Sequence, residues 1–292
     1  MTARSLGAVA LALVACTGGG DPTPSPSDGG SYSSQLGAEP DFSAPASLLT
    51  TTLYYGWDEV SLAGAFAEAP PLTLRTETAR EGSCRLLGSA LDRCSPGCEF
   101  GQYCIGGTCQ DHPDRIDRGA LTWTFPGGEQ SVDVVDDLLY YNASGTLTTP
   151  WDAEHTVRIT GTDLDLDLAA PAVPPPAAEG DWARELGRRD RGEDVTLTWS
   201  DPIQHARVRL FMTDCAGSHG GIGEAELECE GPDTGSLTLP GAFLDALDDA
   251  DWSHGECGSH ALVRYHSSAP EGDDSVRHEV TSKADFFYRP DM

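Results

Sequence analysis

From Leu48 onward the chain is written in short runs that alternate apolar and polar residues. Leu72-Thr73-Leu74-Arg75-Thr76, Ala120-Leu121-Thr122-Trp123-Thr124-Phe125, Ser131-Val132-Asp133-Val134 and Thr156-Val157-Arg158-Ile159-Thr160 each send every second side chain to one face. That period is the mark of a half-buried strand. Pro126-Gly127-Gly128, between two of the runs, has the residues of a tight turn. The signal resumes further on in 194–199, 206–211, 235–239, 260–265 and 284–288. A single short helix is predicted after Pro240, where Phe243, Leu244 and Leu247 share a helical face. The pattern predicts a mostly β fold of two β-sandwich-like domains, the second immunoglobulin-like because five or more strands fall within about a hundred residues.

The segments without that alternation set the expected boundaries. Residues 1–15 have the parts of an export signal: Arg4, an apolar run from Leu6, and a small-residue exit. The run is shorter than the roughly 20 residues that span a bilayer. Its end, Leu13-Val14-Ala15-Cys16, resembles the lipobox of bacterial lipoproteins, which implies cleavage before Cys16 and lipidation of its thiol. Residues 16–47 are rich in Gly, Ser, Pro and Asp and are expected to form a disordered tether of roughly 30 Å. A first β domain is placed at 48–170, a Pro-rich linker at 171–191 and the second domain at 192–292. The linker follows from Ala-Pro-Ala-Val-Pro-Pro-Pro, whose prolines cannot sustain a ladder of backbone hydrogen bonds.

Charge then removes one class of partner. Lys and Arg total 18 against 47 Asp and Glu, a formal net charge of -29 over 292 residues, and a polyanion is repelled by nucleic acid. The partners expected are the membrane, through Cys16, and a ligand outside the cell or in the periplasm.

Nine cysteines in an exported chain predict disulfides. With Cys16 assigned to lipid, Cys84, Cys94, Cys98, Cys104, Cys109, Cys215, Cys229 and Cys257 remain. Five lie in the segment 84–109, a disulfide-rich insert in the first domain, and three lie beyond the linker. The odd numbers favour one bridge between the insert and the second domain, the alternatives being free thiols or an intermolecular bond. Cys94 to Cys109 resembles the small cysteine knots of EGF-like or dickkopf-like proteins, although the EGF spacing is not met. Together with the lipobox and the β-rich halves, it is similar to surface lipoproteins of Gram-negative bacteria. That resemblance implies anchoring in the cell envelope, at the outer membrane, and supplies no mechanism.

Several groups carry candidate chemistry. Cys215, His219, Cys257 and His260 have spacings that zinc accepts, against the reading that the cysteines are disulfide-bonded and the histidines solvated. Ala216-Gly217-Ser218-His219-Gly220 approaches a nucleophile elbow but lacks its first glycine and its strand-to-helix context. Asp163, Asp165 and Asp167 share one strand face, where calcium would relieve their repulsion unless they form an ordinary solvated face. Asp248, Asp249 and Asp251 at the end of the short helix also suggest a cation, because the helix dipole disfavours negative charge there. No cofactor is expected apart from that calcium. Tyr54, Tyr55, Trp57, Tyr140 and Tyr141 offer a platform for a sugar or peptide, or else the ordinary in-and-out aromatics of a sandwich. The expectation is a non-catalytic, lipid-anchored envelope protein that binds a ligand. Its rivals are a hydrolase working at residues 215–223 with nearby histidines, and a purely structural envelope protein.

Overall fold

The computed structural model describes residues 30–32, 37–54, 56–89, 94–99, 102–135, 139–148, 155–161, 166–213, 225–250, 259–271 and 273–288. Cys16, Tyr55, Asp163, Asp165, Cys215, Ser218, His219, Asp251 and Cys257 lie outside these residues. In chain order the first strands are β1 (Gly30–Tyr32), β2 (Ser47–Tyr54), β3 (Glu59–Ala67), β4 (Arg75–Glu81), β5 (Cys84–Ser89), β6 (Gln102–Ile105), β7 (Thr108–Asp111) and β8 (Arg115–Ile116). They continue as β9 (Leu121–Phe125), β10 (Gly128–Val132), β11 (Val134–Val135), β12 (Tyr140–Thr146), β13 (Thr156–Gly161), β14 (Leu166–Pro171) and β15 (Ala177–Ala178). After helix α1 (Trp182–Arg188) come β16 (Val195–Ser200), β17 (Arg207–Thr213), β18 (Ala225–Pro232), β19 (Ser236–Leu239), helix α2 (Gly241–Asp248), β20 (Ser259–Pro270) and β21 (Val276–Phe287). The fold is mostly β. Neither described helix is long and apolar enough to cross a membrane.

One wide sheet organises the molecule, in the order β11-β12-β3-β2-β21-β20-β17-β18-β5-β4, with β8 added beside β3 and β1 beside β20. Its pairs are antiparallel except β2 with β21, which run parallel. Two smaller layers give sandwich-like cores on this sheet. Leu49, Leu53, Val60 and Leu62 pack with Leu121, Trp123, Val157, Ile159 and Leu168 of the β10-β9-β13-β14 sheet. Val208, Leu210, Met212 and Leu227 pack with Val195, Leu197, Trp199 and Leu239 of the β15-β16-β19 sheet and with both helices. Alternation accounts for this in strands such as β9 and β16, where the apolar parity is the buried one. The turn at Pro126-Gly127 joins β9 to β10 with Phe125 opposite Gly128. The predicted short helix is α2, which buries Phe243, Leu244 and Leu247.

Three boundaries differ from the sequence reading. The two cores follow the two halves of the chain, but backbone pairing crosses between them: β4 and β5 extend the sheet beyond β18, and β21 lies beside β2. Residues 192–292 therefore do not close the second core alone, because local alternation reports which face is buried and not which strand lies alongside. The segment 171–191 is packed: Ala172 and Val173 are buried, and α1 sinks Trp182 and Leu186 into the second core. Asp181 caps α1 by accepting from the Arg184 amide, a helix start that the neighbouring prolines had masked. Residues 37–46, expected within the tether, are held against the wide sheet by side chains from distant strands.

Candidate functional site: a strapped, ion-paired sheet face beside a cleft

The face of the wide sheet opposite the second core is charged. Alternation aims Arg85 of β5, Glu228 and Glu230 of β18, Arg207 and Arg209 of β17, Tyr265 of β20 and Glu279 of β21 to this side. The charges close on one another. Arg85 Nη2 lies 2.5 Å from Glu228 Oε2, Arg207 Nε donates to Glu230 Oε1 at 2.5 Å, and Arg209 donates to Glu279 at 3.3 Å. The Tyr265 hydroxyl donates to Glu230 Oε1 at 2.7 Å. Burial would lower the Arg209 pKa, but Glu279 and Glu228 raise it above the ordinary arginine value.

Residues 37–46 cross this face as a strap. Arg207 Nη1 donates to the Gly37 carbonyl at 2.7 Å and Nη2 to the Glu39 carbonyl at 2.8 Å. The Asp41 carboxylate lies 2.9 Å from Arg277 Nη1, the Asp41 amide donates to Glu230, and Ser43 Oγ accepts from Arg277 Nη2 at 3.1 Å. The Phe42 ring lies 4.4 Å from the Arg85 guanidinium and 5.0 Å from that of Arg80. Burial alone would raise the Asp41 pKa, but hydrogen bonds from Ser43 and the charges of Arg277 and Arg209 hold it below the ordinary aspartate value.

Beside the strap opens a cleft of about 1070 Å³. The strap supplies Phe42 and Pro45, β3 supplies Gly64, Ala65 and Ala67, and β12 supplies Tyr140. Arg209, Glu228 and Glu279 also line it, and the fourth side is His112, Pro113, Asp114 and Arg115. The Arg115 guanidinium sits 5.5 Å from the Tyr140 ring centre. Gly64 permits β2 to approach, since a Cβ there would meet the Leu48 carbonyl oxygen at 2.1 Å. The His112 wall continues from the β6–β7 hairpin, which the Cys94–Cys104 and Cys98–Cys109 disulfides staple, and Tyr103 packs edge-on against His112 at 4.9 Å.

The other candidates are spread through the fold. Cys84 and Cys229 form a disulfide between directly opposed residues of β5 and β18, joining the cysteine-rich segment to the second core. Tyr141 is buried, donates its hydroxyl to the Gly119 carbonyl at 2.9 Å and meets Phe66 edge-on. Trp57 stands exposed in the β2–β3 turn, at the end of β3 that pairs with Thr146 and not at the end that pairs with Tyr141. Asp167, the described member of the aspartate set, accepts from Arg158 of the neighbouring strand, from Nε at 2.7 Å and again from Nη2. His260 is not a solvated loop histidine. It is buried with Nε2 3.2 Å from the Tyr288 carbonyl, and burial lowers its pKa to about 4.

Among the acids at the end of α2, Asp248 and Asp249 have cationic partners from within the chain. Arg189 pairs with Asp245 at 2.6 Å and with Asp248, while Arg191 pairs with Asp249. Arg189 is almost wholly buried, so Arg189→Ala strands two carboxylates at the negative end of a helix. The expected loss is about 2–3 kcal/mol in a denaturant melt, and a loss under 0.5 kcal/mol would show the pairs to be surface ornaments.

Along the junction of the two cores lies a buried polar seam. Trp123 Nε1 donates to Thr51 Oγ1 at 3.2 Å, which leaves the Thr51 hydroxyl to donate to His278 Nε2 at 3.0 Å. Arg264 Nε pairs with Asp233 at 2.8 Å, and Asp233 also accepts from Trp199 Nε1 at 2.7 Å. Burial lowers His266 to about 4 and His278 to about 3. Near pH 7 these histidines are neutral in the folded and unfolded chain alike. Between about pH 6.5 and pH 4 the unfolded chain binds protons that the folded chain refuses, so stability falls as pH falls. The melting temperature is therefore expected to hold above pH 7 and to drop steadily from pH 6.5 to pH 4. A flat profile across that window would show that the histidines titrate freely in the fold.

No family model and no curated protein matches the chain. Among solved structures, a tetra-tandem repeat in the extending region of a large adhesion protein matches at 15% identity over 84% of this chain, with a TM-score of 0.20. The chain spans 50% of that repeat's length. The chicken CNTN1 FN1–FN3 domains match at 11% identity over 73% of this chain and 66% of their own, with a TM-score of 0.12. Likenesses of this size assign neither a family nor a role.

Proposed function

We propose that the chain is a non-catalytic interaction module, lipid-anchored through Cys16 at the outer membrane, which binds an uncharged, extended ligand such as a glycan or peptide in the cleft beside the strap. The observation that carries this reading is the cleft's lining. It is open and roomy, its floor charges Arg209, Glu228 and Glu279 are already paired within the protein, and its rim offers Tyr140 with Pro45 and Pro113. A charged ligand would have to break those pairs and lose their energy. A polar, uncharged chain can lie on the Tyr140 face and leave them intact. On this reading the residues between Cys16 and β1 would link the anchor to the sheet that carries the cleft.

A glycan and peptide array probed with the mature chain tests this. Binding is expected, and Tyr140→Ala should weaken it at least tenfold, the usual scale for losing a central aromatic contact. An array on which the chain binds nothing would favour a purely structural envelope protein. Binding that Tyr140→Ala leaves unchanged would move the site elsewhere.

A further inference from the structure

The loop that leaves β16 carries an Asp-Pro bond, Asp201–Pro202. Ser200, the last residue of β16, pairs with Ala177 of β15. Asp201 then turns with φ +56°, in the left-handed region that residues other than glycine seldom adopt. The residue is exposed, and its carboxylate accepts from Ser200 Oγ at 3.2 Å. Its main-chain carbonyl accepts from Arg264 Nη2 at 3.0 Å. Arg264 is 1% exposed and fixed by further partners: Nε pairs with Asp233 at 2.8 Å, and Nη1 donates to the Pro174 carbonyl at 3.1 Å. Beyond the proline, the Ile203 amide donates to the same Asp233 carboxylate at 2.8 Å. One buried ion pair thus holds the chain on both sides of the Asp-Pro bond.

We infer that Asp201–Pro202 is a self-cleaving peptide bond, with the Asp201 carboxyl as nucleophile and Arg264 as the donor that stabilises the oxyanion. A carboxyl oxygen of Asp201 attacks the residue's own main-chain carbonyl carbon, closing a five-membered ring and placing the carbonyl electron pair on oxygen. Arg264 Nη2 already donates to that oxygen, and a fixed donor binds it more strongly as negative charge develops. Collapse of the intermediate breaks the bond to nitrogen. Pro202 leaves as a secondary amine carrying the carboxyl proton, and Asp201 remains as a cyclic anhydride. One water, which reaches the exposed loop, opens the anhydride to two carboxyl groups. Proline favours this route, because without an N–H it cannot close a succinimide on the aspartate side chain. The cut leaves the fold joined, since Cys84–Cys229 links residues before the bond to residues after it, and β2 and β5 pair with β21 and β18. It occurs once per chain and is separate from the binding proposed for the cleft.

The test is timed incubation of the purified mature chain at neutral and at mildly acidic pH, followed by intact mass and by gels with and without reductant. The expected result is a mass raised by one water and two fragments that part only on reduction, the second beginning Pro202-Ile203-Gln204-His205. Asp201→Gly keeps the left-handed turn and removes the nucleophile, so it should abolish cleavage. Denaturing the wild type releases the Arg264 contact and should slow the cut at least roughly tenfold. A chain that stays intact at both pH values, equal cleavage in Asp201→Gly, or equal rates in the folded and denatured chain would overturn the assignment.

Discussion

Replacing Cys84 and Cys229 together by alanine is expected to lower the unfolding free energy by about 5 kcal/mol and the melting temperature by roughly 10–15 °C. The two cysteines are 145 residues apart in the chain and fully buried in the second core. Their bond therefore restricts the unfolded chain strongly, and in the chain-entropy account the effect grows with loop length. It also pins β5, and β4 beyond it, to β18, so that a hairpin from the first half of the chain completes the second core. Denaturant melts of the oxidised wild type and the double variant measure the difference. A loss below 1 kcal/mol would mean that strand pairing alone fixes that hairpin.

Arg207→Ala is expected to cost about 3–5 kcal/mol. Arg207 is 2% exposed and its partner Glu230 is wholly buried, so the variant leaves a carboxylate without its cation in a site closed to water. It also removes both donors to the Gly37 and Glu39 carbonyls, and residues 37–46 should become a preferred site of limited proteolysis. Adding Glu230→Gln removes the stranded charge and should recover part of the stability without restoring strap protection. That divergence separates the cost of a buried charge from the loss of the latch. If Arg207→Ala melts within 1 kcal/mol of wild type, the strap and the charged face are not coupled as described.

Strands were legible where one face alone is buried. Val157 and Ile159 against Arg158, or Leu197 and Trp199 against Thr198, announce both the strand and its inward side. The helix α2 was legible for the same reason at the other period. Only the last residues of β21, within the run 284–288, carry a strand signal, because most of the rest is polar: His278, Glu279, Thr281 and Ser282 are buried, and His278 meets Thr51, Glu279 meets Arg209 and Thr281 meets Thr52. A polar run can be interior when its partners arrive from β2, β17 and β20, and nothing local encodes that. The same holds for the candidate site. Tyr140 was visible as an aromatic, but Arg209, Glu228 and Glu279 gain meaning only when three distant strands are laid side by side. The strap hid behind composition. Residues 37–46 have too few apolar groups to form a core, and they are ordered by four arginines of the sheet rather than by burial of their own.

The most direct measurement of the account is a titration of the ligand selected on the array against the wild type and Tyr140→Ala, combined with hydrogen exchange on the bound and free protein. The expected result is at least tenfold weaker binding by the variant and new protection confined to the cleft walls, residues 42–46, 64–67 and 112–115. Equal affinities, or protection centred on Trp57 or on the far layers of either core, would contradict it.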